Sequence, residues 1–283
     1  MNSSKSPIHI KFDNQQNPHA AFDLTPLEEI YGRDLWDQSP FEHHLVEFYI
    51  IIFIQEGRGF HTIDFTDYQF QAGTVFTIRK DQIHKFNRGR DVRGKLLLFT
   101  DDFLVSYLEK LETLKTLQLF NEILSIPKIQ LSTIDLAQFN DAVDRIEKEY
   151  ISVNDAYSLA IIRSELHILI TSLFRRKSDT HSILNSRKYL REFIELQNLI
   201  ERKCIDHKNV AFYASELGLS SKTLTNITKE VINKTAKQLI DDIATQQIKR
   251  LLINTEQSVK EIAYLSGFHE TTNFYKYFKS FYK

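Results

Sequence analysis

Two segments near the C-terminus follow one pattern, and this repeat constrains the fold more than any other feature of the sequence. They read NVAFYASELGLSSKTLTNITKEV and SVKEIAYLSGFHETTNFYKYFKS, and the second begins 49 residues after the first. Each places an alanine four residues before a glycine: Ala214 and Gly218, then Ala263 and Gly267. An alanine lets another helix cross close by, and a glycine adopts the left-handed conformation that ends a helix in a sharp turn. The repeat therefore predicts two helix-turn-helix units, whose second helices enter the major groove of DNA.

The stretch between the two copies predicts one long helix. It contains neither glycine nor proline from Thr235 to Asn254. Its apolar residues form a stripe at helical spacing: Leu239, Ile243, Ile248, Leu251 and Leu252. A helix of about twenty residues spans about 30 Å, and successive major-groove faces on one side of B-DNA lie about 34 Å apart. Such a helix is long enough to hold both units against consecutive grooves.

The apolar positions of each second helix separate a buried face from an outward face. We expect these side chains to be buried: Leu224, Ile227, Val231, Phe274, Tyr277, Phe278 and Phe281. The remaining positions then face DNA: Lys222, Thr225, Asn226, Lys229, Thr271, Thr272, Asn273, Tyr275, Lys276 and Lys279. Asparagine pairs with adenine, threonine bonds base edges or contacts a thymine methyl, and lysine reaches guanine or phosphate. For any one of these side chains, a place on the solvated surface is the alternative.

The N-terminal part has a different texture. From Glu47 to Thr100 it is rich in Ile, Phe, Val and Tyr and is interrupted by glycines, which predicts antiparallel strands near 47–55, 59–65, 74–79, 82–87 and 94–99. Strands at this spacing favour a small barrel or sandwich. Leucines and isoleucines at helical spacing then predict helices over 102–124 and 135–175. The polar stretch 175–186 is the best candidate for a linker.

The C-terminal segments resemble the AraC/XylS transcription regulators. The resemblance covers about residues 186–283 and depends on Gln247–Thr255, Ser258–Ala263, Gly267 with Phe268, and Asn273–Lys279. These segments look like the linker helix of the family, the first helix of its second unit, its Gly-Phe turn and its aromatic-rich recognition helix. The sequence departs from the pattern in three places: Asn233 replaces the usual glycine, Thr228 replaces an aromatic, and Lys283 precedes the usual closing segment. We expect either a truncated chain or a short member of the family.

The N-terminal part resembles, more loosely, the cupin-like sensor domain of the same family, on Gln55–Gly59, Ile63–Phe65 and Gly73–His84. The resemblance implies an α+β architecture. We expect a cupin-like β-barrel sensor at 1–101, a helical dimerisation region at 102–178, a linker at 179–185 and a double helix-turn-helix domain at 186–283. The alternative for the helical region is that it packs only on its own barrel.

The histidines argue against a metal-dependent enzyme of the cupin type, which needs several histidines and a carboxylate around one ion, usually with a His-x-His pair. His43 and His44 are adjacent, so that on a strand they point to opposite faces. His61 stands alone, and His84 lacks the proline and glycine that usually precede the histidine of the second cupin motif. We expect no metal, no cofactor and no catalytic site.

A barrel interior is nevertheless a natural pocket for a small molecule. The candidates to bind an effector are Tyr49, Phe53, His61, Arg79, His84 and Arg88. Alternation along the first strand cannot decide which face points inward, and aromatic residues in a barrel are often simply core. These side chains are therefore candidates by position and chemistry alone.

The net charge alone does not indicate a DNA partner, and the modest basic excess of the C-terminal part would by itself also suit an ordinary solvated surface. The net charge is −1, but residues 179–283 hold 16 Lys and Arg against 12 Asp and Glu, whereas residues 1–178 hold 20 against 25. No apolar run is long enough to span a bilayer, no export signal is visible, and the single cysteine, Cys204, has no partner for a disulfide. We expect a cytoplasmic homodimer that binds promoter DNA under the control of a small-molecule effector. The alternatives are a regulator without a ligand and a metal-dependent cupin enzyme with a helical appendage.

Overall fold

The chain forms two compact units, Pro7–His181 (the N-terminal unit) and Ser182–Lys283 (the C-terminal unit). The computed structural model describes residues 7–14, 20–32, 39–80, 82–104, 127–180, 189–232, 234–254, 257–268 and 270–280. None of the helices in these ranges is long and apolar enough to cross a membrane.

In the N-terminal unit, the described residues form one sheet of nine strands. The strands are β1 (Ile8–Ile10), β2 (Phe22–Pro26), β3 (His44–Val46), β4 (Tyr49–Ile63), β5 (Thr66–Gln71), β6 (Thr74–Ile78), β7 (Gln82–Phe86), β8 (Arg90–Phe99) and β9 (Lys128–Gln130), with a short helix α1 (Leu27–Tyr31) after β2. The predicted strands near 74–79, 82–87 and 94–99 correspond to β6, β7 and β8. The sequence pattern did not reveal the short strands β1, β2, β3 and β9, or the polar strand β5.

Strand β4 is the centre of the sheet, and it corrects one prediction. The sequence indicated two strands, 47–55 and 59–65, whereas the structure has a single strand with register shifts between Ile54 and Arg58. Gly57 lies in this bulge with φ of 93°, and a Cβ there would come within 2.6 Å of the Asp91 carbonyl oxygen. The bulge bends the strand: residues 50–53 pair with β6 and β8, and residues 61–63 pair with β5 and β7. The sheet therefore folds over on itself, as in a half-barrel.

The two faces of this sheet have different partners. On the inner face, apolar side chains pack on one another, among them Ile50, Ile52, Phe76 and Phe86. The outer face packs against two helices, α3 (Thr133–Glu147) and α4 (Ser158–Thr180). The sequence predicted one helix over 135–175, but a π-helical turn at Lys148–Val153 divides it and ends at Asn154 in the left-handed conformation. Of the helix predicted over 102–124, the structure describes only α2 (Asp101–Leu104), and the rest lies outside the described residues.

The described part of the C-terminal unit is helical. Its helices are α5 (Leu190–Lys203), α6 (Val210–Glu216), α7 (Ser221–Ile232), α8 (Ala236–Asn254), α9 (Val259–Leu265) and α10 (Thr271–Ser280). Helix α8 is the predicted connecting helix, and Leu239, Ile243 and Ile248 of its stripe are buried. Its 19 residues span about 28 Å. The predicted α+β class, with a sheet followed by helices and then a helical domain, is confirmed.

Candidate nucleic-acid interface and effector site

The turns of the two helix-turn-helix units have the same hydrogen bonds. Gly218 and Gly267 have φ of 64° and 75°, the left-handed conformation that the repeat predicted. In the first turn the Leu219 amide donates to the Ala214 carbonyl at 2.8 Å, and in the second the Phe268 amide donates to the Ala263 carbonyl at 2.9 Å. Both alanines are buried between the helices. The prediction of two helix-turn-helix units is confirmed.

Each unit also begins at a defined cap. The Asn209 side chain accepts a hydrogen bond from the Ala211 amide at 2.9 Å at the start of α6. At the start of α9, Ser258 and Glu261 form a reciprocal capping box, and the hydrogen bonds from Ser258 lower the pKa of the Glu261 carboxyl. The Ser220 hydroxyl accepts from the Thr223 amide at 3.0 Å and caps α7. These caps fix where each helix starts and so where its side chains point.

The first recognition helix, α7, buries the face that the sequence predicted: Leu224, Ile227 and Val231. Thr228 is buried as well, and its hydroxyl donates to the Thr225 carbonyl at 3.0 Å, so that the threonine in place of an aromatic is satisfied within the helix. On the opposite face Lys222, Asn226 and Lys229 are exposed and Thr225 is half-buried. The side chains predicted to face DNA thus lie on the outward face.

The second recognition helix, α10, is anchored by aromatic packing. Phe274 is buried, and Phe268 from the turn packs on it and on Tyr277 at ring-centroid distances of 5.5 and 5.2 Å. Tyr277 and Phe278 are half-buried, whereas Phe281 lies outside the described residues. Of the side chains predicted to face outward, Thr271 is half-buried. The others are exposed: Thr272, Asn273, Tyr275, Lys276 and Lys279.

The effector candidates of the N-terminal unit do not form one group. His61 and His84 come together on the inner face of the sheet with ring centroids 5.3 Å apart. Tyr49 and Phe53 lie on the outer face, where Tyr49 stacks on Phe99 and Phe53 packs on Phe139 of α3.

The two arginine candidates follow the strands β6 and β7. Arg79 is half-buried after β6, and its backbone amide donates to the Gln82 side chain at 3.1 Å. Arg88 is exposed, with its guanidinium over the Phe41 ring.

A third histidine joins the inner pair. His44 on β3 lies directly opposite His84 on β7, with ring centroids 5.9 Å apart, and Ile63 on β4 lies opposite His84 on the other side. One ring nitrogen of each histidine is buried without a hydrogen-bond partner, namely His44 Nε2, His61 Nε2 and His84 Nδ1. We call these three residues the histidine cluster. His44 was not among the effector candidates predicted from the sequence. Its position next to His43 indicated only that the two side chains point to opposite faces of a strand.

The rings of His61 and His84 lie among phenylalanine rings, and the cluster is neutral in charge. The His61 ring lies 5.2 Å from Phe76 and 4.8 Å from Phe86, centroid to centroid. Burial lowers the pKa of His61 to about 3 and that of His84 well below its usual value, and the other histidines lower both further. Burial also lowers the pKa of His44. At neutral pH each ring is therefore neutral, and its one unpartnered nitrogen can donate or accept a single hydrogen bond with a bound molecule.

In the described part of the chain, no three His, Cys, Asp or Glu side chains are grouped so that they could hold a metal ion. A metal ion needs ligands that converge on one point at about 2.0–2.1 Å from each imidazole nitrogen. The histidine cluster therefore offers its unpartnered nitrogens for hydrogen bonding.

Comparison with protein families assigns the two units separately. Residues 26–159 match the family described as AraC-like ligand binding domain. Residues 213–283 match the family described as helix-turn-helix domain. The first match spans the described sheet from the end of β2 and helix α3, and the second spans both recognition helices.

Curated relatives include a protein named HTH-type transcriptional activator RhaS from Escherichia coli O139:H28. It is 24% identical over 242 residues, which cover 86% of this chain and 84% of the relative. Solved structures that resemble the chain include ToxT from Vibrio cholerae strain SCE256 with an unsaturated fatty acid bound, at 17% identity, 96% and 93% coverage and a TM-score of 0.40. The AraC-like transcriptional activator CuxR matches at 13% identity, 81% and 73% coverage and a TM-score of 0.29. All of these similarities are distant.

Proposed function

The chain belongs to the AraC/XylS family of DNA-binding transcription regulators, and on that premise we propose how it binds DNA and where it binds its effector. Members of this family bind DNA through helix-turn-helix units and small-molecule effectors through the N-terminal domain. The observation that carries the proposal is the pair of equivalent turns at Gly218 and Gly267, each followed by a helix with an exposed polar face.

We propose that α7 and α10 read base edges in two consecutive major grooves. The contacts are made by the exposed polar face of each helix, in which Asn226 pairs with adenine and Lys276 reaches guanine or phosphate. Within the described residues, neither of these side chains makes a hydrogen bond or ion pair with the protein, so binding DNA does not require an internal contact to break. The other residues of the proposed interface are Lys222, Thr225, Lys229, Thr271, Thr272, Asn273, Tyr275 and Lys279.

The test is a titration of the full chain with the DNA upstream of its own gene and with a scrambled duplex of equal length, at several salt concentrations. We expect tighter binding to the upstream DNA and an affinity that falls with salt. Asn226→Ala and Lys276→Ala should each weaken specific binding by about 1–3 kcal/mol, whereas Lys203→Ala, an exposed lysine on α5, should not. Wild-type affinity in both variants would remove these two residues from the interface.

We propose further that the histidine cluster binds the effector, a small polar molecule enclosed by the inner face. Buried polar groups are nearly always hydrogen-bonded, and an unpaired one costs about 1–3 kcal/mol. Three unpartnered ring nitrogens in one apolar interior would gain partners when a ligand with hydroxyl or amide groups binds. Tyr49 and Phe53 are then structural residues, because they pack on the outer face of the sheet, and Arg88 lies over the Phe41 ring and is not part of the proposed site.

The effector proposal is tested by thermal shift of the full chain with a panel of sugars, polyols, amino acids and organic acids. A compound that raises the melting temperature of the wild type should lose that effect in His61→Leu and His84→Leu and keep it in Arg88→Ala. An effect retained in both histidine variants would place the ligand elsewhere. Differential affinity of such a ligand for two conformations of the protein would shift the population that binds DNA.

A homodimer is the proposed assembly. On the N-terminal unit, large apolar side chains are exposed along one side of α4 and just before it: Tyr157, Ile161 and Ile168. Exposed aliphatic residues at helical spacing suit the same face of a second copy, and a two-fold contact covers both at once. Two copies would place four recognition helices on DNA. We also propose that the protein works in the cytoplasm and has no catalytic activity; no comparison supports the metal-dependent enzyme.

A further inference from the structure

We propose that Lys208 is a positioning residue for DNA binding, which fixes the second helix-turn-helix unit relative to the first. This inference rests on the proposed function of the two units. Lys208 lies in the loop of residues 204–209 between α5 and α6. This loop leads into the first unit and meets the turn of the second.

Lys208 joins the carboxyl ends of two helices. Its ammonium donates to the Ile205 carbonyl just after α5 at 2.8 Å and to the Ser266 carbonyl, the C-cap of α9, at 2.6 Å. The carboxyl end of a helix carries partial negative charge because its last carbonyls have no intrahelical partner, and a cation there is favourable. One charge thus bridges α5, the helix that precedes the first unit, and α9, the first helix of the second unit.

The same side chain also contacts the turn itself. The Lys208 ammonium lies over the ring of Phe268 at 4.8 Å from its centroid, and Phe268 packs on the first turn of α10 through Phe274. A Cβ at Gly267 would come within 3.1 Å of the Ile205 carbonyl oxygen, so the turn and the loop are in close contact. Burial lowers the pKa of the Lys208 ammonium, as expected for a charge that is partly removed from water.

A second set of contacts continues from the loop to α10. Lys237 of α8 donates to the Lys208 carbonyl at 3.3 Å and to the Asp241 carboxylate at 2.6 Å. The same carboxylate oxygen accepts from the Tyr277 hydroxyl of α10 at 3.0 Å. Hydrogen bonds therefore link the loop to the connecting helix and the connecting helix to the second recognition helix. Among the residues of these contacts, Lys208 also touches the turn of the second unit.

The consequence concerns the spacing of the two DNA elements. When two recognition helices are held rigidly, the second binds at a high effective concentration, but only if its DNA element lies at the matching distance. Without the Lys208 bridge the second unit is held only by the packing of α8, α9 and α10 and by the hydrogen bond from Tyr277 to Asp241. Its orientation then varies, so that binding at the matching spacing weakens and discrimination between spacings decreases.

The first test measures orientation without DNA. Nitroxide labels are attached in the full chain at Glu230→Cys on α7 and Lys279→Cys on α10, both exposed, while the native Cys204 is buried and its thiol pKa is raised to about 12. Pulsed electron-spin resonance should give one narrow distance distribution in the otherwise wild-type protein and a broader one with Lys208→Met. Lys203→Met, which removes an exposed charge five residues earlier, should leave it narrow. Equal widths for all three proteins would overturn the proposal.

The second test uses a duplex selected by the wild-type chain from a random-sequence library. Lys208→Met should weaken binding to the selected duplex roughly tenfold or more, leave the affinity for either element alone unchanged, and reduce the penalty for inserting one base pair between the elements. Its salt slope should equal that of the wild type, because loss of a phosphate contact would instead lower the slope by about 1. Lys208→Arg, which keeps the charge, should restore part of the spacing dependence.

The outcomes distinguish this inference from the function on which it rests. Failure of the wild type to select any duplex would contradict the proposed function, and the spin-label distances would still decide whether Lys208 orients the second unit. A selected duplex with unchanged spacing dependence in Lys208→Met would overturn the inference alone. A reduced salt slope would make Lys208 a phosphate contact instead.

Discussion

Acidification should destabilise the N-terminal unit through its buried histidines before any carboxylate titrates. In the folded protein burial lowers the pKa of His61 from 6.5 to about 3, whereas the unfolded chain binds a proton near 6.5. Below pH 6.5 the unfolded state therefore gains protons that the folded state does not take up, and stability falls as the pH falls towards 3. The pKa of His84 is lowered in the same direction for the same reason.

The magnitude follows from the difference between the two pKa values. A pH of 5 lies about 1.5 units below the pKa of His61 in the unfolded chain and above its pKa in the folded chain. Proton binding to the unfolded chain at His61 therefore lowers the free energy of unfolding by about 2 kcal/mol. His84 and His44 add to this loss with the same sign. A total of a few kcal/mol is a large part of the 5–15 kcal/mol of free energy that stabilises a typical domain.

The assay is urea unfolding at pH 7, 6 and 5, read by pulsed hydrogen exchange of peptides from β4 and β7, so that the N-terminal unit is measured by itself. His61→Leu removes one titrating group and should lose about 2 kcal/mol less than the wild type between pH 7 and pH 5. His9→Leu, an exposed histidine on β1, should follow the wild type. Wild-type stability that does not change between pH 7 and pH 5 would refute the reasoning, because it would mean that the three rings are hydrated or already paired in the folded state.

Three further substitutions have defined outcomes. Gly218→Ala should cost about 1–2 kcal/mol of stability in the C-terminal unit from the left-handed conformation alone, since nothing lies within 4 Å of the added Cβ. Gly267→Ala should cost more, because its Cβ also meets the Ile205 carbonyl at 3.1 Å; equal losses by urea unfolding would contradict the close contact. Ile168→Asp should convert the dimer to a monomer in sedimentation at micromolar concentration, whereas Ser164→Asp, exposed one turn earlier, should have a smaller effect; a dimer that persists with Ile168→Asp would exclude this side of α4.

Much of the C-terminal unit could be predicted from the sequence because its signals are local. An alanine four residues before a glycine specifies the turn and its hydrogen bonds, and all the residues involved lie within a stretch of nine. The spacing of the apolar residues in α7 specifies which face of that helix is buried. Thr228 is the exception: its burial depends on the hydroxyl reaching the Thr225 carbonyl, which composition does not reveal.

The N-terminal unit was harder to predict because its signals are not local. Alternation along β4 gives two faces but not their partners, and the outer face is defined by helices more than eighty residues away. The bulge at Gly57 shifts the alternation, so that His61 points to the same side as Ile50 and Ile52. The meeting of His44 with His84 depends on the pairing of β3 with β7, and β3 is too short to give a strand signal of its own.

The central claim is that two units of one chain read two DNA elements at a fixed spacing. Selection of duplexes from a random library by the full chain, followed by sequencing, tests it most directly. We predict two enriched elements centred about 10 base pairs apart, with Asn226→Ala relaxing the sequence of one element and Lys276→Ala that of the other. No enrichment over the library, or a single element that both variants alter equally, would contradict it.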